Sequence, residues 1–316
     1  MGTFAKFLLV VILLAGVILP TGPLISAQTQ PAAYLTFAIN VHDWVHLDDS
    51  AQTIVNLIEL FEEYEVRGDF YLTAPMTRFY AEHHPAVLER LCSSEMTISY
   101  HIRPPHPVYP GFDQSLKNLS DDELYAAIYV AETQRLDMST GTLIPDEVGG
   151  YLYVAQQCGR LPVALGIPTS SQQIRSAALA VYTELGAQMV IFEHESGVAL
   201  RQIDALWTRP SDFSVTRWAV DDKPVAFWWN MLNSPLADEY DPSLYLQTQL
   251  TRWQEENEHP AFVTMLIHEN NFLYGGATPW ANVYFTDKTK QQALTPPYDL
   301  DASDASRARS TEERTT

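Results

Sequence analysis

Between about residues 30 and 298, apolar runs of strand length alternate with amphipathic stretches of helical spacing. Residues 34–39 are a short β-prone run. Residues 49–64 then set Ile54, Leu57, Ile58 and Phe61 on one face, the i, i+3, i+4, i+7 spacing of a half-buried helix. Gly68 breaks the chain before a second strand over 69–72, a helix over 85–91 and a third strand over 97–100. Ser120-Asp121-Asp122-Glu123 reads as a capping box that opens a long helix to about residue 135. Strands over 161–165, 188–192, 225–229 and 261–267 continue the rhythm. The helices between them run over 170–185, closed by Gly186, and from Asp241-Pro242 to about residue 256. Such alternation predicts an α/β fold with a mainly parallel sheet or barrel. In those folds the chemistry gathers at the C-terminal ends of the strands.

The two ends break this rhythm. Lys6 precedes an apolar run over 7–19, no acidic residue occurs before Asp43, and Ile25-Ser26-Ala27 offers small residues for cleavage. Residues 1–27 therefore read as a signal peptide, since the apolar run is shorter than the roughly 20 residues of a spanning helix. A secreted or periplasmic chain with no stable membrane span is expected. In an oxidising compartment Cys92 and Cys158 could pair. Residues 299–316 are small and polar and read as a disordered tail. What remains is one domain over 28–298, without internal repeats.

Composition narrows the partners. Nineteen Lys and Arg against 39 Asp and Glu give a formal charge of −20, which repels phosphate backbones and anionic lipid, so no nucleic acid is expected. Two cysteines are too few for a disulfide framework or a four-thiolate zinc site.

The residues just past three of the strands are rich in metal and acid/base types. Asn40, His42, Asp43, His46, Asp48 and Asp49 follow the first, His101 and His106 the third, and His268, Glu269, Asn270 and Asn271 the last. Imidazole and carboxylate suit a divalent transition metal, zinc above all. Two His from one proline-rich loop with an Asp from a neighbouring strand would leave coordination positions open for water. Elsewhere His83, His84, His194 and His259 read as ordinary core or surface residues. Tyr109, Phe112, Trp280 and one of Trp228 and Trp229 could floor a sugar cleft, because adjacent strand residues face opposite ways.

In order along the chain these motifs resemble those of the polysaccharide deacetylase (NodB-like) family. Leu35-Thr36-Phe37 followed by His42-Asp43 is similar to its first motif, and residues 66–73 to the stretch entering its second strand. Ile98-Ser99-Tyr100-His101 through His106-Pro107 is similar to the second motif, and residues 262–268 to the last. The resemblance implies a deformed (β/α) barrel and an exported hydrolase that removes N- or O-acetyl groups from a carbohydrate polymer. It implies Asp43, His101 and His106 as ligands of a divalent metal, most simply Zn2+, and His268 as general acid. His42 stands where the family has a carboxylate base and is our candidate to activate water. Arg103, Tyr109 and Trp229 are the candidate substrate contacts. The histidines are five residues apart rather than the family's usual four. The Arg-containing third motif has no clear counterpart, although Gly149-Gly150-Tyr151 falls in roughly that region and Arg103 could replace it in space. Another C–N, ester or glycosidic hydrolase on the same scaffold, or a carbohydrate-binding protein whose catalytic site has decayed, are the alternatives.

Overall fold

The computed structural model describes residues 33–42, 47–187, 189–192, 216–218, 226–230, 247, 251, 261–269, 274–275, 281–286, 292–302 and 307–308. Strand β1 (Ala33–Val41) leads into helix α1 (Leu47–Glu63), β2 (Gly68–Leu72), α2 (Ala74–His83), α3 (Pro85–Ser93) and β3 (Thr97–Tyr100). Then come α4 (Asp121–Thr133), a hairpin of β4 (Gln134–Leu136) and β5 (Leu143–Val148), α5 (Gly150–Cys158), β6 (Ala164–Ile167) and α6 (Gln172–Glu184). The remaining elements are β7 (Met189–Phe192), β8 (Thr216–Trp218), β9 (Ala226–Asn230), β10 (Ala261–His268), β11 (Tyr274–Gly275), α7 (Ala281–Tyr284) and β12 (Arg307–Ala308).

Eight strands form one parallel sheet in the order β8-β7-β6-β3-β2-β1-β10-β9. Its two edge strands, β8 and β9, are consecutive in the chain. Read around from β1, the order therefore follows the sequence, as in a (β/α) barrel cut at one seam, which matches the deformed barrel expected from the sequence.

Strand alternation sorts the side chains. Ile39, Val41, Phe70, Leu72, Ile98 and Tyr100 belong to the main core together with Ile54, Leu57, Ile58 and Phe61 of α1, the four positions picked out by helical spacing. The Phe61 ring lies edge-on to Phe70 at 6.3 Å, and a Cβ on Gly68 would come within 2.6 Å of it. This close approach is why glycine opens β2. The intervening residues, Asn40, Asp69, Tyr71 and Ser99, share the opposite face through the parallel register.

The capping box at Ser120 is formed as predicted, with the Ser120 oxygen accepting from Glu123 N and the Glu123 side chain accepting from Ser120 N. Cys92 and Cys158 are joined, tying α3 to α5 across a sequence separation of 66. Closing a loop of that size stabilises a fold by about 4 kcal/mol on the chain-entropy model.

Helices α2 and α5, the β4–β5 hairpin and β8 add to the elements predicted. Within residues 299–316, β12 pairs antiparallel with β11. The predicted signal segment lies outside the described residues. So does the helix over 241–256, except for Gln247 and Thr251, both helical. Among the described residues no helix is long and apolar enough to cross a membrane.

Candidate functional site

Three histidines from three separate strand ends meet inside the barrel. Asn40 of β1 is in register with His268 of β10, so its amide Nδ2 lies 3.3 Å from His268 Nε2. An amide N–H donating there leaves the proton of a neutral His268 on Nδ1. Two residues beyond Asn40 the same face presents His42, whose ring lies edge-on to His268 with centroids 5.0 Å apart. His101 follows β3, where its backbone N–H donates to Leu72 O at 2.9 Å. Its ring centroid is 5.6 Å from that of His42. All three rings are buried. Burial first, and then the charges of Arg103 and His268, hold His101 well below the ordinary histidine value, so it is neutral at pH 7.

A carboxylate that sequence reading left without a role braces this cluster. Glu269, fully buried, accepts from the His42 backbone N–H at 2.6 Å and from Ser50 Oγ at 3.5 Å. Ser50 is in turn bonded to the Tyr80 hydroxyl at 2.8 Å. Glu269 thus fixes the turn carrying His42. Asp48 and Asp49 are exposed on the first turn of α1. Asp48 bonds His84 at 2.7 Å, so it does not supply the missing base.

One layer down the barrel, Asp69 was also missed. Burial raises its carboxyl from 3.8 to about 6, against the opposing hydrogen bonds of Ser99 and Tyr71. Between those values the folded chain holds more protons than the unfolded one, so this group makes stability fall as pH rises across the window. Asp69→Asn removes the fall. Urea unfolding at a series of pH values should show the variant gaining on the wild type from about pH 4 to 6 and holding a constant offset above. Parallel profiles would refute the placement.

His106 is occupied elsewhere. Its Nδ1 accepts from Val108 N–H at 3.2 Å, which puts the ring proton on Nε2, 3.2 Å from Glu132 Oε1. Glu132 is fully buried on α4 and also accepts from the Tyr182 hydroxyl and, at 2.9 Å, from Tyr151 N–H. Gly150 makes the last bond possible: its φ is +55° and a Cβ there would lie 2.4 Å from the Glu132 Cα. Residues 149–151 therefore seat the Glu132 network and bring no arginine to the histidines.

The metal site implied by resemblance needs lone pairs from Asp43, His101 and His106. Asp43 lies outside the described residues, and both ring nitrogens of His106 face groups of the protein itself. Among the described residues no group of three or more His, Cys, Asp or Glu side chains is arranged to hold a metal ion. The triad as drawn from the motifs does not fit this arrangement, because His106 offers no lone pair.

Beside His101 opens a cavity of about 290 Å³. Arg103 lines it and bonds the Tyr109 hydroxyl at 3.4 Å. Tyr109 itself packs against Phe112 and Phe285. Trp229 lies on β9 in register with Met265, and its side chain is outside the described residues. The structure thus brings His42, His101 and His268 together and sets Arg103 beside them, while His106 joins Glu132. The described elements define an α/β barrel protein with a buried histidine cluster at the C-terminal ends of its strands.

No protein-family model matches the sequence, and no curated protein matches it. Among solved structures the chain is similar to a mutant CE4 family pseudoenzyme with restored enzymatic activity, at TM-score 0.38 and 9% identity over 76% of this chain and 57% of that one. It is also similar to a wild-type CE4 family pseudoenzyme from Bacillus anthracis, at TM-score 0.38 and 10% identity over 76% and 56%. A 4-alpha-glucanotransferase from Thermococcus litoralis follows, at TM-score 0.42 and 13% identity over 76% and 34%. The chain spans little more than half the length of the CE4 family chains and about a third of the glucanotransferase.

Proposed function

We propose that this chain is an exported hydrolase that removes acyl groups, acetyl above all, from a carbohydrate. The observation that carries the proposal is the convergence of His42, His101 and His268 within 5.0 and 5.6 Å, ring to ring, where barrel folds keep their chemistry. The ordered motifs of the sequence support the acyl and carbohydrate parts. The Cys92–Cys158 bridge supports folding in an oxidising compartment.

In the proposed reaction His42, in its neutral form, takes a proton from the attacking water. The Glu269 bond to its backbone keeps that turn in place. His268, in its protonated form, delivers a proton to the departing sugar oxygen or nitrogen and returns to the neutral ring, with the Asn40 amide against Nε2 fixing its orientation. His101, held neutral, adds no charge that would oppose protonation of its neighbours.

The test is acetate release from a panel of acetylated glycans, with and without added Zn2+. Release from at least one glycan is the expected result. No release from any of them, alongside measurable glycan binding, would replace the hydrolase with a binding protein.

A further inference from the structure

The cavity beside His101 has a chemistry that neither the motifs nor the histidine cluster assigns. We infer that it selects an acidic sugar, with Arg103 pairing to a uronate carboxylate next to the acyl group that is cleaved. This inference deepens the hydrolase reading and rests on it for the acyl part.

The charge distribution singles the cavity out. The chain carries a formal charge of −20 with only 19 basic residues, yet Arg78, Arg103 and Arg135 all line this one space. Each already has a protein partner: Arg78 bonds Val148 O at 2.6 Å and lies over the Tyr153 ring, Arg135 bonds Glu147 at 2.9 Å, and Arg103 bonds the Tyr109 hydroxyl at 3.4 Å. The acids on the lining are held as well. Asp137 Oδ1 accepts from Ser139 N, Ser139 Oγ and Thr140 N at 2.7–3.1 Å, and Glu82 lies 3.9 Å from Arg78.

Arg103 differs by position. It enters the cavity two residues after His101, which lines the same space, so its guanidinium charge sits at the reacting end of the cavity. A guanidinium presents a rigid fork that matches a carboxylate with two parallel hydrogen bonds. Phe79, Pro104, Leu136, Met138 and Leu300 give the wall an apolar part, a surface for the C–H face of a ring. A volume of about 290 Å³ sits at the low end of small-molecule sites, about 300–1,000 Å³.

A matched pair of probes isolates the charge: oligogalacturonides as the free acid, and the same oligomers fully methyl-esterified and so neutral. Titration calorimetry on the full chain should show the acid form binding at least about tenfold more tightly. Rising salt should erode that preference, because added ions screen the pair. Arg103→Gln should abolish the preference, and Arg103→Lys should keep part of it. Equal binding of both forms, binding of neither, or a preference that ignores salt in the wild type overturns the inference, and the salt series needs no variant to fold. A preference unchanged in a folded Arg103→Gln chain overturns it too. Acetate release is scored separately. Release without charge preference sinks this inference alone, whereas preference without release sinks the hydrolase reading alone.

Discussion

Replacing His268 with Ala is expected to lower kcat/KM for acyl release by about 10²–10⁴-fold, the usual worth of a positioned acid or base. The ring stands at the end of β10, 5.0 Å from His42 and against the Asn40 amide, so its loss removes a proton donor without touching the β1–β10 ladder. A general acid acts in the transition state, so kcat should carry the loss and KM should change little. Asn40→Ala should cost less, since it frees the His268 ring without deleting it. His42→Ala should match His268→Ala, because the brace from Glu269 reaches the His42 backbone and survives the change. Full activity in His268→Ala, measured on the glycan that wild type cleaves best, would end its role as the acid.

The second large effect is on stability. Glu132→Ala is expected to cost at least about 3 kcal/mol in denaturant unfolding, since each buried donor left unsatisfied costs about 1–3 kcal/mol. The loss strands three donors at once, His106 Nε2, the Tyr182 hydroxyl and Tyr151 N–H. Burial alone would raise the Glu132 carboxyl, but His106, Tyr182 and Tyr151 together hold it below the ordinary 4.5. Its contribution is therefore present above pH 4.5 and is lost as pH falls through the lower folded value. Glu132→Gln keeps the shape and loses the charge, so it should cost less and flatten that acid limb. A Glu132→Ala chain as stable as wild type would show that the network does not hold the loop.

The sequence made the outer face of the barrel legible because burial there follows simple periods. Residues 97–100 and the four α1 positions stand as spacing predicts, since apolar residues facing helices must alternate with those facing inward. Helix α2 was missed because its buried side is thin, only Ala74, Met76, Thr77 and Tyr80. Its start was nevertheless written locally, as a Thr73 cap followed by Pro75 in the first turn. The β4–β5 hairpin buries too little to leave a pattern.

At the site, strand ends told where to look but not which partner each side chain takes. His42, His101 and His268 were recognisable because each follows a strand. His106 looked like their companion by residue type, and only the fold shows that Glu132, from a helix 26 positions later, faces it. Glu132 did leave a trace, a lone acid four residues after Ile128 on the apolar face of α4. Asp69 left another, an acid alternating with Phe70 inside a strand.

The bridge between Cys92 and Cys158 makes a covalent ring of the chain between them. Inside that ring fall His101, Arg103, His106, Glu132 and Arg135, while His42 and His268 lie outside it. The arginine that would choose the sugar and the groups that would move protons thus belong to different mechanical parts of one chain. A protease nick in the segment between β3 and α4 would leave both cut ends joined through the bridge. Reduction of the nicked chain would remove that tether while the β1–β10 pair still had its eight-residue register to hold it.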